Sequence, residues 1–534
     1  MIKNKSTETI AIAIMALLFL FVGIFQSWSL SLSILNMCII SAIMSMGINM
    51  QWGYAGIFNV GIMGFTALGG LAAVLVSYSP VGEAWRVGGR GMITSLILLI
   101  ATVFLIIFIN KRFKNNKKKY WLIAFIIILS IIIINIFYRP SVHAIEAVNP
   151  AISGFLGGLG LPIIFSWAVG GLFAAGVAFI IGKITLGLRS DYLAIATLGI
   201  SEIIIAVLKH EDWLSRGVKN VIGLKRPVPY EINLQQTDWF ISFVSFFNKT
   251  SLERITDSSD RQLYLTNLVI DASGIFVKLC YAGLFSIVLL IILYLANKAQ
   301  VSPWGRMMRA IRDNEDAAAA MGKNVKKRHL QVFILGAAIV GLAGAMLTTL
   351  DGQLTPASYS PLRYTFVIWV MVIVGGAGNN LGSVAGAFTI WFIWVEAEPA
   401  GLWLMDQITA NLSEENNFRH NFTMFSINLK QFIMFSCRIL RKVWKLIQIV
   451  FGRYRLTSFP NSVSLEGSSS GERSPETATG GSSAACRRRA FVVPSPSRAE
   501  SRSAPRGRAS LCADAPCGAR ASDAPWLQPA PEPS

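Results

Sequence analysis

Eleven apolar runs, most of them near twenty residues long, dominate the sequence. They fall at about 9–25, 30–50, 56–79, 92–110, 120–138, 163–182, 192–208, 275–296, 329–350, 364–377 and 381–399. Crossing the hydrocarbon core of a bilayer takes roughly 20 consecutive apolar residues. Inside lipid a backbone must satisfy its own hydrogen bonds, so runs of this kind span as helices. The pattern predicts an all-α polytopic membrane protein with about 8–11 transmembrane or re-entrant helices. Only 14% of the residues are charged, against about 25% in a typical soluble domain. The first run also fits a removable leader peptide, but the later runs would hold the chain in the membrane regardless.

The formal net charge of +19 could suggest nucleic acid as a partner, but its placement argues for membrane orientation instead. Residues 111–119 hold six basic and no acidic residues, and residues 297–328 hold eight basic and three acidic ones. The long segment 209–272 holds eight of each. Cytoplasmic loops carry the excess of Lys and Arg, so the first two segments belong inside and the balanced one is free to lie outside. Lipid, not nucleic acid, is the expected environment.

Between two of the spans lies a polar block, S-P-W-G-R-M-M-R-A-I-R-D-N-E-D-A-A-A-A-M-G-K-N-V, at 302–325. Ser302 suits a helix N-cap and Pro303 a first turn. Arg306, Arg309 and Arg312 recur every three residues, Glu315 and Asp316 follow, and four alanines favour helix. Gly322 is placed to end it. The block predicts a cytoplasmic helix over 303–322, offered to a soluble partner and kept accessible by the small Ala310 and Gly322. A solvated amphipathic loop helix is the plainer reading.

The wording G-R-x-x-x-A-I-R-x-x-E-x-A-A in this block resembles the coupling loop of ABC importer permeases, and in particular the branched-chain amino-acid permease family of LivM type. Other blocks agree in order: G-Y-A-G-I-F-N-V-G at 53–61, Y-L-A-I-A-T-L-G-I-S-E-I-I at 192–204, G-L-A-G-A-M at 341–346 and V-I-V-G-G-A-G-N-N-L-G-S-V-A-G-A at 372–387. The resemblance covers roughly residues 30–400. It implies a transport subunit, not an enzyme, working with a sister permease, two cytoplasmic ATPases that hold ATP and Mg, and a periplasmic substrate-binding protein in the inner (plasma) membrane. The implied cargo is a branched-chain amino acid. The implied coupling residues are Gly305, Arg306, Arg309, Ala310, Arg312, Glu315, Ala318 and Gly322.

Gly53, Gly56, Asn59 and Gly61 would loosen a membrane helix and expose backbone to a gate or pathway, though glycine also serves close packing. Gly378, Gly382 and Gly386 stand four apart, a pattern for tight helix contact. Glu202 lies inside an apolar run, where an ionisable group is costly and is a pathway candidate. Its neighbours Arg189 and Asp191 leave a position at the cytoplasmic mouth open as well. Two departures stand out: L-S-R-G-V-K-N-V-I-G-L at 214–224 stands where the family has a T-G-G-P-x-G-I type turn, and the run at 120–138 looks like an addition.

The sequence contains no G-x-x-x-x-G-K-[ST] phosphate loop, so ATP hydrolysis is expected on partner chains. The cysteines and histidines form no metal spacing, and no nucleophile–base arrangement argues for catalysis. Urea, short amides or other amino acids are alternative cargoes, and a motor-independent secondary transporter or channel is the alternative of another class. By composition the chain divides into a permease domain at 1–404, a basic segment at 405–460 suited to a membrane surface, and a low-complexity tail at 461–534. The tail's lack of apolar surface predicts disorder. Its switch from residues with AT-rich codons to residues with GC-rich codons also fits a frameshift, fusion or assembly error.

Overall fold

The computed structural model describes residues 2–112, 117–149, 154–255 and 257–409. The basic segment from 410 and the tail expected to be disordered lie outside the described residues.

The apolar runs become helices: α1 Ile2–Phe25, α2 Trp28–Ile48, α3 Ile62–Ser77, α4 Gly82–Arg112, α5 Lys117–Ala147, α6 Ile163–Thr185 and α7 Ser190–His210. Short helices α8 Asp212–Ser215, α9 Glu231–Gln235, α10 Asp238–Phe247 and α11 Lys249–Glu253 follow. Then come α12 Ser258–Val301, α13 Pro303–Asp313, α14 Glu315–Ala320, α15 Val325–Asp351, α16 Pro361–Gly375 and α17 Asn380–Thr409. Among the described residues, seven helices are long and apolar enough to cross a membrane, and Ala13–Phe25, α3 and α16 are shorter apolar ones. The fold is all-α, as the run lengths predict. The compositional boundary near 404 falls inside α17.

Helix direction and charge agree. With Lys111 and Arg112 inside, α5 leads out, α6 in and α7 out. The 209–272 segment is then outside and α12 returns the chain to the basic 297–328 block. A two-stranded antiparallel bridge pairs β1 Val221–Ile222 with β2 Gln353–Leu354. It joins the segment after α7 to the segment after α15, which alternation places on the same side. At the same level Leu224 N donates to the Gly352 carbonyl at 3.3 Å. Burial of the Tyr359 side chain beside Thr348 pushes its hydroxyl above the usual tyrosine range.

The core is built on α2 and α3. All but one residue of α3 is buried, and it packs on α6, α7 and α15. Small residues allow that approach: a Cβ on Gly69 would run into the Gly341 carbonyl, and one on Gly344 into Thr66. Without a strong hydrophobic force between helices in lipid, such close backbone packing is what holds them. By contrast α4 and α5 pack chiefly on each other and leave rows of Ile, Leu and Phe exposed, among them Phe104, Phe108, Phe125 and Ile128. At the outer end they meet the rest of the bundle, where the Tyr138 hydroxyl donates to Glu211 at 2.8 Å and Trp213 Nε1 donates to the same carboxylate at 2.7 Å.

Candidate functional site: the seat of the cytoplasmic helix

The segment between α2 and α3 is where the bundle's regularity fails. α2 widens into a π-turn at Asn49–Tyr54, and residues 56–61 carry no helix. π-turns often mark functional positions. Gly56 has φ +72°, a conformation that L side chains rarely adopt. Ordinarily the freed backbone groups would be orphaned in an apolar setting. Here side chains take them up. Asn59, buried, accepts from Gly61 N at 2.9 Å and donates to Gln51 Oε1 at 2.9 Å. Gln51 in turn donates to the Phe333 carbonyl at 2.9 Å. Val60 N donates to Thr197 Oγ1 at 3.1 Å, Gly64 N to Ser201 Oγ at 2.8 Å, and Trp369 Nε1 to the Asn59 carbonyl at 3.1 Å. Gly61 lies against the Thr197 carbonyl, so a Cβ there would collide with α7. Gly56 and Phe58 stay exposed on the open side of the break.

The polar block is two helices rather than one over 303–322. Asn314, at φ −156° and ψ 102°, ends α13 and starts α14, its side chain accepting from Ala317 N at 2.9 Å. Asparagine is among the best N-caps, which is why the chain restarts there. Arg306, Arg309 and Arg312 therefore belong to α13, and Glu315 and Ala318 to α14. Gly322 ends the block at φ +77° with open space around it. Ala310 and Glu315 are exposed.

The three arginines are already engaged within the chain. Arg306 and Arg309 donate to the carbonyls of Val301 and Gln300, both at 3.2 Å. These are among the last carbonyls of α12, which lack helical partners and carry the negative end of the helix dipole. Gly305 is buried against Ala299 and Gln300, where a Cβ would strike both carbonyls. α13 is thus seated on the end of α12.

Arg312 reaches further. Its guanidinium donates to the Gly53 carbonyl at 2.6 Å and to Asp313 Oδ1 at 2.9 Å. Its stem lies where a Cβ on Gly56 would make contact, and Gly378 approaches it as well. The polar block and the glycine break, distant in sequence, meet at this residue.

Around that bond lies a polar knot that sequence reasoning missed. Asn380 accepts from Asn49 Nδ2 at 3.0 Å and from the Tyr54 hydroxyl, and donates to Asn297 Oδ1 at 2.8 Å. Asn49 Oδ1 accepts from Gly378 N at 2.7 Å, and Gln300 Nε2 donates to the Gly378 carbonyl at 2.8 Å. Four elements are held together: the π-turn, the end of α12, α13 and the turn before α17. Isolated Asn and Gln residues inside apolar runs were the available signal.

Two glycine expectations need adjustment. Gly378 lies in the turn between α16 and α17, not on a helix, and faces Gly53. Gly382 and Gly386 lie on α17 against α16, where a Cβ would meet the carbonyls of Gly375 and Met371. Glu202 is not at the cytoplasmic mouth. It is exposed on α7, eight residues before that helix ends outside.

The family described as "Branched-chain amino acid transport system / permease component" matches residues 30–403. The high-affinity branched-chain amino acid transport system permease protein LivM of Escherichia coli (strain K12) is 26% identical over 251 residues, 46% of this chain and 53% of that protein. A probable LivM of Methanocaldococcus jannaschii is 23% identical over 355 residues, 64% of this chain and 74% of the relative. A probable LivH of the same organism is 29% identical over 140 residues, 26% of this chain and 42% of the relative. The alignment with the E. coli protein spans about half that relative's length. No solved structure matches the chain. With its family match and its apolar helices, the chain is a multi-pass protein of the bacterial-type inner membrane and belongs to the branched-chain amino acid transport system permease family.

Proposed function

We propose that this chain is the membrane-spanning permease subunit of an ATP-driven importer that carries leucine, isoleucine and valine. Its partners would be a sister permease, two cytoplasmic ATPases that bind ATP and Mg, and a periplasmic substrate-binding protein. The observation that carries this reading is the bond from Arg312 to the Gly53 carbonyl. It gives a cytoplasmic helix a direct hold on the broken segment of the central spans.

The surface of α13, α14 and the turn that follows, with Ala310, Glu315 and Gly322 exposed and Ala318 half-buried, is the face offered to an ATPase. Closure of the ATPases would push α13. Because Gly305, Arg306 and Arg309 seat α13 on the end of α12, the push moves α12 as a rod. Because Arg312 grips Gly53, the same push shifts the π-turn and the break at 56–61. Hydrogen bonds to charged groups contribute about 1.5–3 kcal/mol each, enough to bias two arrangements of the break. A motor-independent channel leaves α13 and its seat without a purpose.

The test is purification of the chain from its native membrane in mild detergent, followed by mass spectrometry and ATPase assay. Co-recovery of a second permease and two ATPases, with hydrolysis raised by the binding protein and leucine, is expected. A chain recovered alone and devoid of ATPase activity would overturn the proposal.

A further inference from the structure

α7 has two unlike faces. Leu193, Thr197, Ser201, Ile205 and Leu208 are buried against the bundle. Ile195, Gly199, Glu202 and Ala206 are all exposed. At about 100° per residue these four fall within one narrow stripe. Glu202 sits about 12 Å below the outer end of the helix, at about 1.5 Å per residue. A glutamate stem is too short to carry its carboxylate from that depth to the interface. No hydrogen bond or ion pair to Glu202 occurs among the described residues.

The apolar runs of α6 and α12, at 163–182 and 275–296, carry no carboxylate. Leu172, Phe179 and Ile180 on α6, and Ile287, Leu290 and Tyr294 on α12, are what lipid requires. An ionised carboxylate turned to hydrocarbon is strongly disfavoured, and such groups in spans face water-filled cavities or partners. Gly199 lies on the same stripe, and like Gly176 on α6 and Gly283 on α12 it has open space around it. A Cβ there would meet nothing, so the chain's own packing does not call for glycine. One turn below the carboxylate, the missing side chain leaves a shallow apolar recess between Ile195 and Ile203.

We infer that Glu202 lines the translocation pathway and receives the ammonium group of the passing amino acid, whose aliphatic side chain lies over the Gly199 recess. The inference rests on the importer reading. A carboxylate beside an apolar hollow is complementary to a small zwitterion with a hydrocarbon side chain. It is a poor match for urea, which carries no cation. No covalent step is involved. Glu202 holds a charge in passage, so the contact must be weak enough to release it.

The test uses the native host with substitutions made in the full chain. Glu202→Gln should lower uptake of labelled leucine by about tenfold or more, the order expected from losing one charge-assisted contact. The amount of chain in the membrane and the recovered partners should be unchanged, and Glu202→Asp should keep a substantial part of the uptake. Glu202→Cys should react from outside with a trimethylammonium methanethiosulfonate, and leucine should slow that reaction, while Ile287→Cys stays unreactive. Normal uptake by Glu202→Gln, or an inert cysteine at 202, would overturn the inference and leave the importer reading standing. Loss of the second permease from Glu202→Gln preparations would also overturn it, by making Glu202 a contact between subunits. Failure of the unmodified protein to take up leucine would overturn the importer reading and the ammonium assignment together, while cysteine labelling would still decide whether position 202 faces water.

Discussion

Arg312 joins two regions that neither sequence spacing nor hydrophobicity connects. Two of its hydrogen bonds go to Asp313 Oδ1 beside it, the third to a backbone carbonyl 259 residues away in sequence. Arg312→Ala removes all three. Leucine uptake should fall by about tenfold or more, the equivalent of one lost charged hydrogen bond, with insertion unchanged. Arg312→Lys should not restore it, since an ammonium lacks the rigid planar fork that aims separate N–H groups at Gly53 and Asp313 together. Uptake at wild-type rate in either variant would remove Arg312 from the coupling path. Asn380 carries a different burden. Its amide serves Asn49, Tyr54 and Asn297 at once. Asn380→Leu strands three partners, and buried groups left unpaired cost about 1–3 kcal/mol each. The purified complex should lose several degrees of thermal stability in detergent. The glycines and the arginine series were legible in the sequence because each forms a regular spacing within a short stretch. The amide knot was not, because its members lie up to 331 residues apart and each alone resembles an ordinary polar residue in a span.

Hydrophobicity located the helices far better than it bounded them. The run at 275–296 becomes a 44-residue helix, Ser258–Val301, because nothing in its polar flanks breaks a helix once it leaves the apolar zone. At about 1.5 Å per residue such a helix is about 66 Å long, more than twice the hydrocarbon core. The division of the polar block at Asn314 escaped notice because alanines and arginines on either side favour helix, and the asparagine cap wins only locally. Asn314→Ala removes that cap and should cost about 1 kcal/mol of local helix stability. Faster amide exchange at 315–318 would register it, and unchanged exchange would argue that α14 is held from elsewhere. On the same surface, Glu315→Lys reverses the charge at the start of α14, and Gly322→Arg forces a side chain onto a backbone at φ +77°. Both should abolish uptake while leaving the protein in the membrane. Normal uptake by both would refute the assignment of this surface to an ATPase.

Across the whole molecule, charge asymmetry and helix direction give one orientation, and the β1–β2 bridge provides an independent handle on it. Ile222 and Gln353 are directly paired and both exposed. Paired strand positions have Cα atoms about 4.5–5.5 Å apart, within reach of a disulfide. Ile222→Cys with Gln353→Cys should cross-link under mild oxidation, and an impermeant thiol reagent applied outside should block it. A reagent effective only from the cytoplasm would invert the topology. The bridge itself was not legible, since two-residue strands leave no periodicity to read. The oddity at 120–138 was legible as an extra run, but not that it forms a hairpin with the preceding run and stays apart from the core. That separation bears on the ancestry of the chain. The hairpin makes two crossings, so its gain or loss leaves every other loop on its own side of the membrane. Its two helices pack chiefly on each other, and its described contacts with Leu156, Glu211 and Trp213 gather at the outer end. A lineage could acquire or discard such a module in one event and keep a working machine on either side of it.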